Sequence, residues 1–168
     1  MFSNALDANR LTNLTSITFG NFNTSNVTNM SCMFCCDSLT SLNLSNFDTS
    51  NVTKMSSMFN GCSSLTSLDV SSFDTSKVTY MRYMFRNCSS LTSLDLSSFD
   101  MSKVTDTTSM LGDCSALTEI KTPNAIGSKA VNLPTKTGYS WVDQANTNNT
   151  YTQINSTNVG KTLILKVN

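Results

Sequence analysis

A segment of 26 residues recurs along this chain, and a repeat of that length constrains the fold more than any other feature of the sequence. Copies begin at Leu39, Leu65 and Leu91, and each opens with the letters LTSL. An earlier copy begins at Leu14 and is one residue shorter, and a partial copy begins at Leu117. A unit of this size cannot bury its own apolar face, so the copies must pack against one another.

Each copy combines two apolar patterns. In the copy that begins at Leu65, an LxxLxL pattern ends with Leu68 and Val70, which alternate as in a half-buried strand. The spacing of Val, Met, Met and Phe within residues 78–85 predicts one face of a short helix. We therefore predict an α/β solenoid, a right-handed coil with a parallel sheet on one face and short helices on the other. The repeated Met and Phe positions are interpreted as core.

The predicted leucine-rich-repeat solenoid spans residues 1–122. It has a partial first repeat, repeats that start at 14, 39, 65 and 91, and a last strand at 117. Prolines and glycines punctuate the chain after Thr122, so residues 123–168 are predicted to form a small C-terminal β capping unit. Candidate strands lie around 139–142, 150–154 and 162–167. The single tryptophan, Trp141, is interpreted as the core of this unit and not as a platform for sugars.

The motif FDTSxVTxMxxMFxxC, with LxxLxL at this period, resembles the BspA-type leucine-rich-repeat surface proteins of bacteria, including related repeats of mycoplasmas and gut bacteria. The resemblance covers about residues 1–122. It implies a surface-displayed protein that contacts host or neighbouring cells, and it transfers no catalytic residues. Met1 and Phe2 coincide with the Met-Phe pair of the repeats, and no signal peptide is present. We therefore expect a segment of a longer secreted protein, or alternatively a degenerate native cap at residues 1–13.

Composition argues against several classes of function. Charged residues make up 13% of the chain, against roughly 25% in an average protein, and the net charge is zero. Histidine, the commonest general base and metal ligand, is absent. We therefore expect no enzymatic activity, no cofactor, no nucleic-acid partner and no membrane insertion of this segment.

Three cysteines are spaced by the repeat length, so they occupy one column: Cys62, Cys88 and Cys114. Parallel side chains rarely offer disulfide geometry, and we predict buried free thiols with a structural role. Three others form a local group that could oxidise or hold a metal: Cys32, Cys35 and Cys36. No metal site is predicted. A recurring aspartate at the turn, Asp48, Asp74 and Asp100, is expected to accept backbone N–H groups and not to bind calcium.

The outward residues of the predicted strands form a continuous polar surface, and we predict that it is the binding face. Its residues are Ser41, Asn43, Ser67, Asp69, Ser93, Asp95, Glu119 and Lys121. The predicted partner is a protein or glycan on host or neighbouring cells, so the predicted function is non-catalytic extracellular adhesion at the cell surface.

Other interpretations of the repeats remain open. The main alternative is a passive structural stalk or coat without a ligand, which near-identical copies favour. The column Thr15, Thr40, Thr66, Thr92 and Thr118 suggests an ice-binding face, but serine and not a second threonine flanks it. The opposite side of the repeats, with Lys77, Arg82 and Arg86, is the competing binding surface.

Overall fold

The computed structural model of the chain describes residues 13–168. Regular structure in this part consists of nine β-strands, without a helix. They are β1 Ser93–Asp95, β2 Asp100–Met101, β3 Glu119–Lys121, β4 Ala125–Ile126, β5 Val131–Asn132, β6 Tyr139–Asp143, β7 Asn146–Tyr151, β8 Gln153–Ile154 and β9 Thr162–Val167. The predicted opening in mid-repeat and the alternative native cap concern residues outside the described part, apart from residue 13.

The strands form three small sheets. The largest has the order β1-β3-β9-β6-β7, and two further pairs are β2-β4 and β5-β8. Strands β1 and β3 run parallel, whereas β9 pairs antiparallel with β3 and with β6. The predicted α/β solenoid is therefore wrong: residues 13–168 show small mixed sheets instead of one parallel sheet lining a coil, and no helices opposite.

The predicted helix is absent because the backbone of its segment bonds to the next copy. The amides of alternate residues from Met55 to Gly61 donate to carbonyls of the following copy at 2.8–2.9 Å, as in the bond from Ser57 to Arg82. Those amides cannot also make the bonds of a helix. Ser57 and Tyr83 moreover have φ of 57° and 58°, in the left-handed region that a right-handed helix excludes.

Several of the predicted strands are present in the structure. The LxxLxL segment becomes a regular strand in the copies that begin at 91 and 117, where it forms β1 and β3. In the C-terminal unit, β6 and β9 confirm two predicted strands, and the third prediction divides between the end of β7 and β8. Trp141 is buried, and its indole Nε1 donates to the carbonyl of Pro134 at 2.8 Å, which confirms its assignment to the core.

Equivalent apolar residues of successive copies fill the interior. The rings of Phe34, Phe59 and Phe85 stack with centroids 5.6 Å apart and interplanar angles of 13° and 7°. The methionines of the repeats are buried around them. The prediction that these columns are core is confirmed.

A second buried column is polar and was not predicted. Thr24, Thr49 and Thr75 are almost inaccessible, and each hydroxyl bonds to the backbone of an aspartate in the next copy. The fourth copy has Met101 at this position, and there the pairing of β2 with β4 replaces the hydroxyl. The copy that lacks the buried threonine is thus the one that contacts the C-terminal unit.

Candidate functional site

The residues of the predicted binding face lie on the surface. Glu119 is half-buried, and the other seven are exposed: Ser41, Asn43, Ser67, Asp69, Ser93, Asp95 and Lys121. The parallel register of β1 and β3 places Ser93 beside Glu119 and Asp95 beside Lys121. The remaining four lie outside the regular strands.

Most charged groups of this face are engaged locally. The side chains of Asn43, Asp69 and Asp95 each accept a hydrogen bond from the backbone amide two residues later, at 2.9–3.0 Å. The bonds from Ser71 hold the pKa of Asp69 below its usual range. Lys121 Nζ lies 2.8 Å from Asp95 Oδ2, and this contact raises the pKa of the lysine. In the unbound protein, the side chains of Asn43, Asp69 and Asp95 therefore stabilise turns, and Asp95 also pairs with Lys121.

The aspartates at the next turn act in the same way. Asp48, Asp74 and Asp100 each accept the amide of the serine two residues later at 2.9 Å. Hydrogen bonds from those serines lower the pKa of each carboxyl. The prediction that they accept backbone N–H groups is confirmed.

A different surface emerges where the helices were expected. Parallel bridges join Asn29 to Lys54, Lys54 to Tyr80, and Tyr80 to Asp106. We call this surface the ladder face; it comprises Asn29, Ser31, Lys54, Ser56, Ser57, Tyr80, Arg82 and Asp106. The bridges hold side chains from four copies side by side on a hydrogen-bonded backbone.

The ladder face contains a depression of about 380 Å³. It is lined by Ser31, Cys32, Lys54, Ser56, Ser57, Tyr80, Arg82 and Asp106. Tyr80 is 43% exposed, and Lys54 Nζ lies 5.9 Å from the centroid of its ring. The Asp106 carboxylate accepts the Thr108 amide at 3.0 Å. Hydrogen bonds from Thr108, followed by the charges of Arg82 and Lys129, lower the pKa of Asp106. The depression therefore presents both signs of charge beside an aromatic ring.

The sequence contains a signal for this surface that the periodicity argument missed. At the bridged position the four copies carry Asn, Lys, Tyr and Asp, and no two are alike. The serine that precedes the central Leu or Ile of the LxxLxL segment is identical in the same four copies. The outward position two residues later varies less than the bridged position, with Thr18, Asn43, Asp69 and Asp95. Residues that vary among otherwise matching copies point to the surface where the copies serve different roles.

A family model described as "Mycoplasma protein of unknown function, DUF285" matches residues 1–122. The chain belongs to this family. The match covers the repeats and ends before β4. No curated protein and no solved structure matches the chain. Across residues 13–168 of this DUF285 member, no helix is long and apolar enough to cross a membrane.

The cysteine column of this DUF285 member lies in the interior. Cys62, Cys88 and Cys114 are buried, and each thiol donates to a phenylalanine carbonyl of the preceding copy, at 2.8, 3.3 and 3.1 Å respectively. Burial raises the pKa of Cys62 to about 12 and that of Cys114 to about 11. The thiols therefore remain protonated at neutral pH and act as small donors inside the core.

The local cysteine group has a different environment. Cys32 and Cys35 are half-buried, and Cys36 is buried. Cys35 Sγ donates to the carbonyl of Ser57 at 3.0 Å, and burial raises the pKa of this thiol. Within the described residues, no group of three or more Cys, Asp or Glu side chains is arranged to hold a metal ion.

Proposed function

We propose that this chain is a non-catalytic binding module of a bacterial surface protein, which contacts a protein or glycan of host or neighbouring cells. The variation of the ladder face carries the proposal: Asn29, Lys54, Tyr80 and Asp106 differ in each copy although their backbones are bridged in register. A chain that only sets length has no need for such differences. The passive stalk is the second candidate. It is favoured by the uniform serines of the binding face predicted from the sequence, which we call the strand face.

The ladder face suits binding because it is fixed before a partner arrives. The bonds from Met55, Ser57 and Phe59 to the next copy hold the backbone under the side chains. Little conformational entropy is then lost on binding beyond that of the side chains themselves. Tyrosine and arginine, here Tyr80 and Arg82, are the residue types that contribute most to binding energy at protein surfaces.

The strand face remains the competing surface. Turn hydrogen bonds do not distinguish the two faces, because Asp69 and Asp106 each accept one from the amide two residues later. The strand face differs in that Asp95 is already paired with Lys121, at 2.8 Å. A partner would have to replace contacts that already exist there. The cations of the ladder face have no such pairing within residues 13–168, and the experiment below compares both surfaces.

Surface display and the absence of catalysis have separate support. Membership of the DUF285 family and the resemblance to BspA-type repeats favour a protein displayed on the bacterial cell. The absence of histidine, together with the raised thiol pKa values, disfavours nucleophilic or general-base chemistry.

The test is an array of glycans and extracellular-matrix proteins, probed with the purified chain and two double variants. Tyr80→Ala with Arg82→Ala alters the ladder face, and Ser67→Arg with Asp69→Arg alters the strand face. We expect the ladder variant to lose binding and the strand variant to retain it, while thermal unfolding shows both to be folded. The reverse pattern assigns binding to the strand face. If the chain binds nothing on the array, the result supports the passive stalk.

A further inference from the structure

We infer that the depression of the ladder face binds a saccharide that carries a carboxylate. The inference rests on the proposed function and names the ligand class of the same surface.

Two cations line the depression together with the exposed Tyr80. The guanidinium carbon of Arg82 lies 5.7 Å from the ring centroid of Tyr83. Lys54 belongs to the copy before Tyr80, and Arg82 follows it by two residues, so both reach the same depression. Neither cation forms a salt bridge with a carboxylate of residues 13–168, in contrast to Arg86, whose Nε lies 3.2 Å from Asp113 Oδ2. An arginine whose donors are not paired with a carboxylate of residues 13–168 can bind a ligand carboxylate through two parallel bonds.

The remaining lining residues match sugar hydroxyls. The 43%-exposed ring of Tyr80 offers an apolar surface to the C–H groups of a sugar. Asp106 is ionised, and a carboxylate has about four acceptor positions, of which the Thr108 amide occupies one. Ser56 and Ser57 add hydroxyls that both donate and accept. This set combines an aromatic surface, hydroxyl partners and an anion-binding pair.

The size and polarity of the depression favour a saccharide over a protein segment. Ligand pockets span roughly 300–1,000 Å³, so about 380 Å³ suits one or two sugar rings. A protein interface usually has an apolar centre with several anchors. The large apolar side chains exposed within residues 13–168 are Phe22, Tyr80, Tyr139 and Val167, and of these only Tyr80 lines the depression.

The experiment is calorimetric titration of the full chain with two acidic probes, a hyaluronan hexasaccharide and trigalacturonate, and with their carboxyl-reduced neutral counterparts. We expect at least one acidic probe to bind and its neutral counterpart to bind about tenfold more weakly or not at all. Arg82→Gln should weaken the acidic probe by about the same factor, and Tyr80→Ala should weaken both forms. Lys166→Gln removes the same charge from an exposed position of β9 and should leave binding unchanged.

Three results would overturn the inference: neither acidic probe binds, the neutral counterparts bind equally well, or Arg82→Gln has no effect. A hexaglutamate peptide that binds more tightly than both saccharides would also overturn it, since the ligand would then be an acidic peptide. The proposed function has a separate outcome. It stands if the array contains a ligand of another class, and it fails if the chain binds nothing on the array.

Discussion

The hydroxyl of Thr75 donates a hydrogen bond to the carbonyl of Asp100 at 2.9 Å and accepts one from the Asp100 amide, also at 2.9 Å. A single side chain thus satisfies both backbone groups of a residue in the next copy. Thr49 makes the same pair of bonds to Asp74. The apolar columns alone do not set how one copy faces the next, and this polar contact adds a directional constraint.

Replacing Thr75 by valine should therefore destabilise the chain. Valine keeps the shape of threonine but leaves the amide and carbonyl of Asp100 without partners, which costs about 1–3 kcal/mol. Urea unfolding measures the loss. Thr66→Val is the matched control, because Thr66 is exposed on the extended segment of the same copy. Equal stability of the two variants would show that the buried hydroxyl contributes nothing.

The junction with the C-terminal unit depends on a close approach at Gly127. A Cβ at this position would lie 2.5 Å from the carbonyl oxygen of Ser102. The amide of Gly127 also donates a hydrogen bond to the carbonyl of Met101. Gly127→Ala should force β4 away from β2 and lower the unfolding free energy by about 1–3 kcal/mol. Gly20→Ala is the control, since a Cβ at Gly20 meets nothing within 4 Å. Circular dichroism during urea titration distinguishes them, and a neutral Gly127→Ala variant contradicts the close contact.

Acid should destabilise the turns that aspartates hold. The pKa of Asp74 is lowered in the folded chain, mainly by hydrogen bonds from Ser76, so its contribution is complete above its ordinary pKa and is lost as the pH falls below it. Asp74→Asn should keep the turn, as Asn23 does by accepting the Ser25 amide at 2.9 Å. We expect the variant to lose less stability than the parent chain between about pH 4 and pH 2. Identical pH profiles in urea unfolding would contradict this role.

Alkali should destabilise the core through its thiols. Burial raises the pKa of Cys62 to about 12, while the thiol of the unfolded chain has its ordinary pKa of 9.0. Below that value both states hold the proton, and above it the unfolded state alone releases it, so stability falls as the pH rises from about 9 to about 12. The loss at pH 10 is about 1 kcal/mol for this thiol. Cys62→Ala should show a shallower decline between pH 8 and pH 10, and an unchanged slope would refute the assignment.

The sequence predicts the contents of the interior well and the backbone path poorly. The spacing of Met55, Met58 and Phe59 fits one face of a helix, and all three are buried. The same spacing also fits a turn whose amides bond to the next copy, and periodicity within one copy cannot distinguish the two. The choice depends on bonds between copies and on a left-handed residue such as Ser57, whose side chain carries no strong preference for that conformation.

The sequence also predicts the candidate site only in part. The prediction of a strand face relied on exposure, and Asp69 and Asp95 are indeed exposed. Exposure does not reveal that their oxygens already accept bonds from their own turns. The sequence pattern predicts a helix for the segment that forms the ladder face. Helices of neighbouring copies would not join Lys54 to Tyr80 through backbone hydrogen bonds, so the pattern does not predict this surface. Sequence alone could have identified their columns as variable, but not the depression that they share.

The bridges from Asn29 through Lys54 and Tyr80 to Asp106 have a consequence for how such a protein can change over generations. The copies that begin at 14, 39 and 65 each bond to the next copy through the same backbone positions. Recombination that inserts or deletes one whole 26-residue unit among them therefore leaves these donors with equivalent acceptors. Each event would move the ends of the array by roughly the 4.8 Å between neighbouring strands. Length, and the order of side chains displayed along it, can therefore be reshuffled while the architecture of each unit is inherited intact.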